Sequence, residues 1–384
     1  MTLKEMKIED RNRDRAAPLS RPPVLAGYIY DPEEAYGARN SNRLLAIRLE
    51  TSRSCNLRCR YCYAESGGHL EHELDFEDLT SVIRQAWELG ADSVVVIGGG
   101  EPTLYPRFRD LIAYIHSLRI IPVIFTNTVT MTRELAEFLH DQGASVMGKL
   151  DSLRPEVQDY LAGQAGAFHQ IQEGLNNLIE AGFTRTETPH RLRMGVSFVS
   201  GRLNVEEVEE IWHFCRQRRI FPNIEFLTPT GRARQELSQY ILSPEEIKNY
   251  KLRLLEIDQD CYGHTWLPYT PLTASGCLQH LYSLYVTGEG NVRPCAPTKF
   301  DEHPDLEHKG TYPHNVRRRS LRKIYEDPLF QYVRNIDRYL EGKCRQCEHL
   351  NECIGCRGYT YSVGVNEGKD PCSALRAECL QCFK

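Results

Sequence analysis

The stretch Cys55-Asn56-Leu57-Arg58-Cys59-Arg60-Tyr61-Cys62 holds three cysteines, with three residues between the first two and two between the last two. It follows Leu44–Glu50, an apolar run typical of a buried strand. Three thiolates on one loop can hold three corners of a cubane iron–sulfur cluster. The remaining iron then keeps an open position where a substrate or cofactor can bind. The alternatives from these residues alone are a zinc knuckle completed by His69 or His72, or a set of core cysteines.

Length and composition narrow the class of protein. The chain has 384 residues, enough for two or three domains, and a formal net charge of −5, which argues against a nucleic-acid-binding surface. We find neither a signal peptide nor an apolar stretch long enough to span a membrane, so the sequence predicts a cytoplasmic protein without a membrane partner. In that reducing compartment the fourteen cysteines indicate metal or redox chemistry and not disulfides.

Strand and helix signals alternate from Leu44 to about Glu256. The predicted strands are Leu44–Glu50, Ser93–Ile97, Ile121–Phe125, Ser145–Leu150, Arg193–Val199 and Asn223–Leu227. The predicted helices are Phe76–Leu89, Phe108–Ser117, Arg133–Gln142, Ala167–Ala181, Val205–Arg218 capped by Asn204, and one that begins at Ser243. Six βα units predict an α/β fold with a parallel sheet and right-handed crossovers. Periodicity does not choose between an open sheet and an incomplete barrel.

A glycine-rich segment, Ile97-Gly98-Gly99-Gly100-Glu101-Pro102, follows the second predicted strand directly. Glycines at a strand end let the backbone approach a ligand closely, and a carboxylate suits an ammonium group. A plain turn before a helix is the alternative. Taken with the cysteine stretch and its Tyr61, the segment resembles the Gly-Gly-Glu-Pro element of the radical S-adenosylmethionine (SAM) superfamily.

This resemblance implies a partial (β/α)6 barrel with its chemistry at the C-terminal ends of the strands. It also implies that a [4Fe–4S] cluster on Cys55, Cys59 and Cys62 binds SAM. Gly99, Gly100 and Glu101 would contact the methionine amino group of SAM. The cluster would then cleave SAM reductively to a 5′-deoxyadenosyl radical, with an electron from a flavodoxin- or ferredoxin-type donor.

Polar residues at later strand ends are further candidates. Asp151 could contact the SAM ribose or have a structural capping role, since Lys149 and Ser152 depart from the Ser-Leu-Asp-Gly pattern of many superfamily members. Ser197 is a second candidate for SAM binding. Asn127 could point into the site. Arg232 could pair with a carboxylate or simply be solvated.

A cysteine-rich segment closes the chain. Tyr282–Val286 and Asn291–Pro294 predict a β-hairpin that brings Cys277 and Cys295 together. The spacing of Cys277, Gly290 and Cys295, followed by a run of four cysteines, resembles the SPASM domain, which binds two auxiliary [4Fe–4S] clusters. That run consists of Cys344, Cys347, Cys353 and Cys356. Without the N-terminal motif, a four-cysteine zinc ribbon would be the first interpretation.

The SPASM resemblance implies two interleaved ligand sets. One auxiliary cluster would be held by Cys344, Cys347, Cys353 and Cys372. The other would be held by Cys277, Cys295 and Cys356, and its fourth ligand stays open among Cys261, Cys379, Cys382 and an unliganded iron. We therefore expect three domains or segments: an N-terminal arm (1–43), a radical SAM partial barrel (44–260), and a small cysteine-rich α+β domain (261–384).

The substrate is less determined than the chemistry. Radical hydrogen abstraction from a C–H bond in peptide or peptide-derived cofactor maturation is our first interpretation, because the cysteine pattern is commonest there. The arm is too short for the winged-helix leader-binding domain of many peptide-modifying members. A small molecule such as a sugar, nucleoside, aminocyclitol or tetrapyrrole is the second. Ala296 follows Cys295 where the sulfatase-maturing branch has a basic aspartate, which argues against that activity. A zinc-binding interaction scaffold is the alternative from another class.

Overall fold

The computed structural model describes residues 18–185, 188–306, 312–379 and 382. Residues 1–17 of the predicted arm lie outside the described residues. The strands are β1 (Val24–Leu25), β2 (Ala46–Leu49), β3 (Ser93–Val96), β4 (Ile121–Thr126), β5 (Ser145–Lys149), β6 (Arg191–Leu192), β7 (Met194–Ser200), β8 (Phe221–Phe226), β9 (Ser283–Val286) and β10 (Val292–Arg293).

Helices follow most of these strands. They are α1 (Pro32–Asn40), α2 (Phe76–Glu88), α3 (Phe108–Ser117), α4 (Arg133–Asp141), α5 (Pro155–Ala162), α6 (Ala167–Glu180), α7 (Val208–Gln217), α8 (Ala233–Glu236), α9 (Pro244–Ile257), α10 (Gln279–Tyr282), α11 (Leu321–Tyr325), α12 (Pro328–Arg334), α13 (Arg357–Asn366) and α14 (Pro371–Arg376). Among the described residues no helix is both long and apolar enough to cross a membrane.

The larger sheet, with β10 and β8 at its two edges, organises the molecule as an incomplete barrel. Strands β2, β3, β4, β5, β7 and β8 pair in parallel in that order, which confirms the predicted α/β partial barrel. Strand β9 pairs in parallel with β2, and β10 continues the sheet antiparallel to β9. The C-terminal segment, predicted as a separate domain, thus contributes two strands to the barrel sheet.

Both faces of the sheet are buried, as the uninterrupted apolar strands predict. On β3, Val94 and Val96 pack into the core beneath the outer helices, whereas Val95 packs into a second core on the inner face. Cys215 on α7 is fully buried in the outer core, as expected of a small core residue.

The helix starts follow local capping chemistry. The Asp75 side chain accepts a hydrogen bond from the backbone of Asp78 at the start of α2, and Ser243 forms a capping box with Glu246 at α9. The predicted Asn204 cap is wrong. Its side chain instead accepts from the Gly201 amide and donates to the Asp151 carbonyl, so it holds strand ends together.

The described part of the N-terminal arm covers the inner face of the sheet. Gly27 has φ = +75°, and a Cβ there would lie 2.9 Å from the Val123 side chain. The Tyr30 hydroxyl donates to the Leu45 carbonyl, and Ser93 donates to the Gly27 carbonyl. The arm therefore fills the inner face of the barrel.

The predicted C-terminal hairpin is confirmed by the antiparallel pairing of β9 and β10. It is tied to the end of β2 through Glu50, whose carboxylate accepts from the Tyr285 hydroxyl at 2.5 Å and from the Gly288 amide at 2.9 Å. This contact docks the hairpin beside the loop that follows β2, so the cysteine-rich segment lies next to that loop.

Candidate active site

The first three predicted ligands lie on the loop that follows β2, called the cluster loop here (residues 50–67). A backbone bridge between Ser54 and Gly67 closes this loop. Cys55, Cys59 and Cys62 all line one cavity of about 260 Å³ at the C-terminal ends of the strands. The loop therefore presents three thiols to a single space, at the edge of the sheet where barrels place their chemistry.

The chemistry of these thiols fits an iron–sulfur cluster. Burial raises the pKa of Cys55, and it raises the pKa of Cys59 to about 12. Metal coordination reverses this shift because a coordinating thiol is deprotonated outright. In the described part of the chain no three Cys, His, Asp or Glu side chains are arranged to hold a single metal ion. A cubane does not need such a group, because each thiolate binds a different iron.

The zinc-knuckle alternative drew on His69. In the structure the His69 ring lies 2.5 Å from the Glu73 carboxylate and is largely exposed. The same carboxylate accepts hydrogen bonds from the amides of Arg53 and Leu70. His69 thus belongs to a surface contact that shapes the far side of the cluster loop.

The backbone of the glycine segment is in direct contact with the backbone of the cluster loop. The Gly100 amide donates to the Ser52 carbonyl at 2.6 Å, and the Glu101 amide donates to the Ser54 carbonyl at 2.8 Å. A Cβ at Gly100 would lie 1.8 Å from the Ser54 carbonyl oxygen, and Gly99 has φ = +61°. The glycines are required because two backbones meet here, a reason that the sequence did not reveal.

The Glu101 carboxylate is held in place on the cavity wall. One oxygen accepts from the hydroxyls of Thr103 and Thr126 at 2.7 Å each, and the other accepts from the Asn127 amide at 2.7 Å. Burial raises the pKa of Glu101, although these hydrogen bonds oppose the shift. The oxygen that accepts from the Asn127 amide keeps a lone pair for an ammonium group in the cavity.

Asn127 connects β4 to the cluster loop. Its side-chain amide donates to the Asn56 side chain at 2.7 Å, and its oxygen accepts from the Val129 backbone. The residue also lines the cavity, as the sequence allowed. It therefore fixes the position of the cysteine loop from the neighbouring strand end.

Asp151 is fully buried, with both carboxylate oxygens occupied by the protein. One contacts the Lys149 ammonium at 3.0 Å and accepts from the Val199 amide at 2.9 Å. The other accepts from the Tyr61 hydroxyl at 2.5 Å. The sequence left two roles open for Asp151, a contact with the SAM ribose and a structural role. These contacts give it a structural role, because they anchor the cluster loop to the end of β5.

The cavity wall on this side is formed by other polar residues. Lys149 and Ser197 both line the cavity, and so does Glu225 on β8. The Asn223 amide donates to Ser197 at 3.4 Å and to Glu225 at 2.8 Å. Ser197 lies where the sequence predicted, and its contact with SAM stays a prediction. Lys149 and Glu225 are cavity residues that the sequence analysis did not select.

Arg232 has neither of the roles considered from the sequence. Its Nε donates to the Cys59 carbonyl at 2.9 Å and its Nη1 to the Ser66 carbonyl at 3.0 Å. Its backbone amide donates to the Cys62 carbonyl at 3.2 Å. Arg232 thus holds the cluster loop from the segment after β8. The sequence could not show this role, because the acceptors are backbone carbonyls, which every residue has.

The hairpin cysteines face a buried cation. Thiolates at Cys295 and Cys277 would act electrostatically on Arg48, which is 5% exposed and whose Nε has no hydrogen-bond partner among the described residues. Burial raises the pKa of Cys295 to about 12, and Arg48 opposes the shift. A thiolate-bound cluster, which carries negative charge, fits beside this cation.

The remaining predicted ligands lie in the last forty or so residues. Cys344 is buried in a 3₁₀ turn with Cys347 directly after it, and the Cys356 sulfur accepts from the Tyr359 amide at the start of α13. Cys353 accepts from the Gly355 amide at 3.4 Å. Cys372 lies on α14.

Two family models match this chain. The radical SAM superfamily model matches residues 49–215, and the iron–sulfur cluster-binding SPASM domain model matches residues 277–348. The two matched regions contain the cluster loop, the glycine segment and the hairpin cysteines.

Curated relatives match over most of their length. The AdoMet-dependent heme synthase of Oleidesulfovibrio alaskensis is 28% identical over 87% of this chain and 90% of its own. The mycofactocin maturase of Mycobacterium ulcerans is 26% identical, over 88% of each chain. Among solved structures, Streptococcus suis SuiB bound to S-adenosylmethionine has a TM-score of 0.64 at 18% identity, covering 91% of this chain and 80% of that one. The similarity to SuiB shows that the two chains share a fold.

Proposed function

Because the chain belongs to the radical SAM superfamily and carries a C-terminal SPASM domain, we propose that it cleaves SAM reductively and abstracts hydrogen from a substrate C–H bond. The family's cofactors are SAM and [4Fe–4S] clusters. A cluster on Cys55, Cys59 and Cys62 supplies an open iron for SAM and the electron that cleaves it.

One observation carries this proposal. The three thiols, the glycine segment and the Glu101 carboxylate surround a single cavity of about 260 Å³. Glu101 is positioned to accept a hydrogen bond from the amino group of a ligand held at the thiols. Ser197 and Lys149 also line this cavity, and we assign to them contacts with the rest of that ligand.

A second cavity is our candidate for the substrate site. A cavity of about 360 Å³ lies between the segment after β8 and α13, with Arg234, Lys299 and His303 among its lining residues. Its wall includes Thr230 and Glu65, which are close in sequence to residues of the SAM cavity. The basic side chains Arg234 and Lys299 are balanced by the carboxylates of Glu65 and Glu302, so the lining offers both signs of charge to a polar substrate.

We assign peptide or peptide-derived cofactor maturation as the first substrate class, supported by the mycofactocin maturases among the relatives. A tetrapyrrole is the second candidate, supported by the heme synthases and by an Fe-coproporphyrin III synthase of Methanosarcina barkeri. In both cases Cys344, Cys347 and Cys353 would hold one auxiliary cluster and Cys277, Cys295 and Cys356 the other, and such clusters would accept the substrate electron or bind the substrate. The primary electron comes from a flavodoxin- or ferredoxin-type donor.

The test starts with metal content after anaerobic purification. Three cubanes give about twelve irons per chain. Cys62→Ala should lose about four of them together with SAM cleavage, measured as 5′-deoxyadenosine under dithionite. Cys215→Ala, at a buried cysteine in the outer core, is the matched control and should keep both. Zinc in place of iron in the wild-type protein would overturn the radical mechanism and support the scaffold alternative.

The substrate class is tested next on the same protein. A candidate precursor peptide or an iron porphyrin should raise the yield of 5′-deoxyadenosine, and deuterium from the labelled substrate should appear in it. Transfer from a peptide alone supports the first class, and transfer from a porphyrin alone supports the second.

A further inference from the structure

Cys379 packs against the Cys353–Cys356 loop, and we call this contact region the cysteine pocket. It is 2% exposed, and its sulfur accepts a hydrogen bond from the Cys356 amide at 3.4 Å. A Cβ added at Gly355 would lie 2.6 Å from the Cys379 Cβ. The two segments are therefore in direct contact.

Backbone amides in this pocket point at sulfur atoms. The Gly355 amide donates to Cys353 at 3.4 Å, the Tyr359 amide to Cys356 at 3.3 Å, and the Cys356 amide to Cys379. Hydrogen bonds to the sulfurs are one of the ways in which proteins set the properties of an iron–sulfur cluster. Cys379 shares this environment with two predicted ligands.

Two buried cations face the same pocket. Lys251 is 2% exposed and donates to the Thr270 carbonyl, and thiolates at Cys353, Cys379, Cys382 and Cys356 would act electrostatically on its ammonium group. Arg357 is 4% exposed, and its Nε and Nη2 have no hydrogen-bond partner among the described residues. The Arg357 Nη2 atom lies 2.4 Å from where a Gly355 Cβ would be, beside Cys379.

This charge distribution calls for an anion. A buried cation is costly unless an opposite charge accompanies it. A [4Fe–4S] cluster with four thiolate ligands is anionic and would neutralise Lys251 and Arg357 together. The guanidinium edge and the Cys379 sulfur thus point to the same occupant.

Cys372 has different surroundings. It lies in the first turn of α14, where its amide donates to the Asp370 side chain at 3.0 Å. The charged groups that act on its thiol are the Asp370 carboxylate and the Arg376 guanidinium. These are surface contacts of a helix start.

We infer that Cys379, and not Cys372, is the cysteine that the C-terminal segment contributes to the auxiliary clusters. The inference rests on the proposed function, since it requires that the auxiliary sites hold iron–sulfur clusters. In the ligand set expected from the sequence, Cys379 takes the place of Cys372. The anionic cluster would supply the negative charge that Lys251 and Arg357 require.

The test compares Cys379→Ser with Cys372→Ser, two near-isosteric changes. Iron, sulfide and zinc per chain are measured after anaerobic reconstitution, together with the electron paramagnetic resonance spectrum of the reduced protein. Cys379→Ser should lose about four irons, the content of one cubane, and one of the wild-type signals. Cys372→Ser should keep wild-type iron and signals. Cys353→Ser serves as the positive control for loss of an auxiliary cluster.

Two outcomes overturn the inference: full iron in Cys379→Ser, or lost iron in Cys372→Ser, whether or not Cys379→Ser also loses it. Retained 5′-deoxyadenosine formation shows that Cys379→Ser still folds around the N-terminal cluster. If the wild-type protein holds zinc, the proposed function fails. The inference then fails with it, whereas full iron in Cys379→Ser beside an iron-loaded wild-type protein overturns the inference alone.

Discussion

Replacing Gly100 by alanine should disable SAM binding while the fold survives. An alanine Cβ would lie 1.8 Å from the Ser54 carbonyl oxygen, closer than Cβ atoms come to any such atom. Because close-packed interiors do not absorb such overlap, the cluster loop has to move away by roughly 1 Å. That movement breaks the two hydrogen bonds by which the glycine segment holds the loop.

The cost can be worked out from these contacts. Each backbone hydrogen bond contributes about 1 kcal/mol net, and overpacking of this kind costs about 1–3 kcal/mol more. The sum, about 3–5 kcal/mol, is less than the stability of most globular proteins. If about 3 kcal/mol of it falls on the geometry of the SAM site, affinity for SAM drops roughly a hundredfold.

Equilibrium dialysis of SAM against reconstituted protein measures this loss, and circular dichroism during heating reports the fold. Gly37→Ala is the matched control, because a Cβ there has no heavy atom within 4 Å. In the middle of α1 it should leave SAM affinity unchanged and stabilise the chain by about 0.5–1 kcal/mol. Wild-type SAM affinity and full iron in Gly100→Ala would refute the reasoning.

Three further substitutions test other parts of the molecule. Glu101→Gln places an amide among donor groups, so SAM affinity should fall at least about tenfold while iron content stays at the wild-type value; loss of iron as well would contradict this role. Arg232→Met removes two charged hydrogen bonds to the cluster loop, each worth about 1.5–3 kcal/mol, so iron should leave the N-terminal site faster under a chelator, measured from the visible absorbance. Asp258 is fully buried and accepts from Arg216, Trp212 and Trp266. Asp258→Ala should therefore lower the free energy of unfolding by about 3–5 kcal/mol, seen in thermal unfolding, with iron content unchanged; an unaltered melting temperature would contradict the importance of this ion pair.

Local sequence signals predicted most of the barrel. The apolar run Ser93–Ile97 predicted a strand buried on both faces, and the structure has β3 there; the amphipathic Phe108–Ser117 segment forms α3 with the predicted bounds. These elements depend on hydrophobic period and on caps formed by near neighbours, which a sequence displays directly. Helix α5 escaped detection because its eight residues, Pro155–Ala162, carry a weak apolar period.

Contacts between distant segments were not predictable in the same way. Three such contacts join residues that are far apart in the chain. Glu50 contacts the hairpin, the arm packs on the inner face of the sheet, and β9 pairs with β2. Asn204 illustrates the limit: its type and position fit a helix cap, but its side chain bonds two strand ends instead. Which of several possible partners a polar side chain takes is decided by the packing of the whole chain.

Ligand type and local spacing are properties of the chain, so three thiols at cubane spacing, a glycine segment after a buried strand and a second group of cysteines were visible without the fold. The groups that surround them became visible only in the folded chain. Arg232 clamps the cluster loop, Asp151 anchors it, and Cys379 lies beside Cys356. These pairings follow from burial, because a buried charge or sulfur must take the partner that the folded chain brings to it.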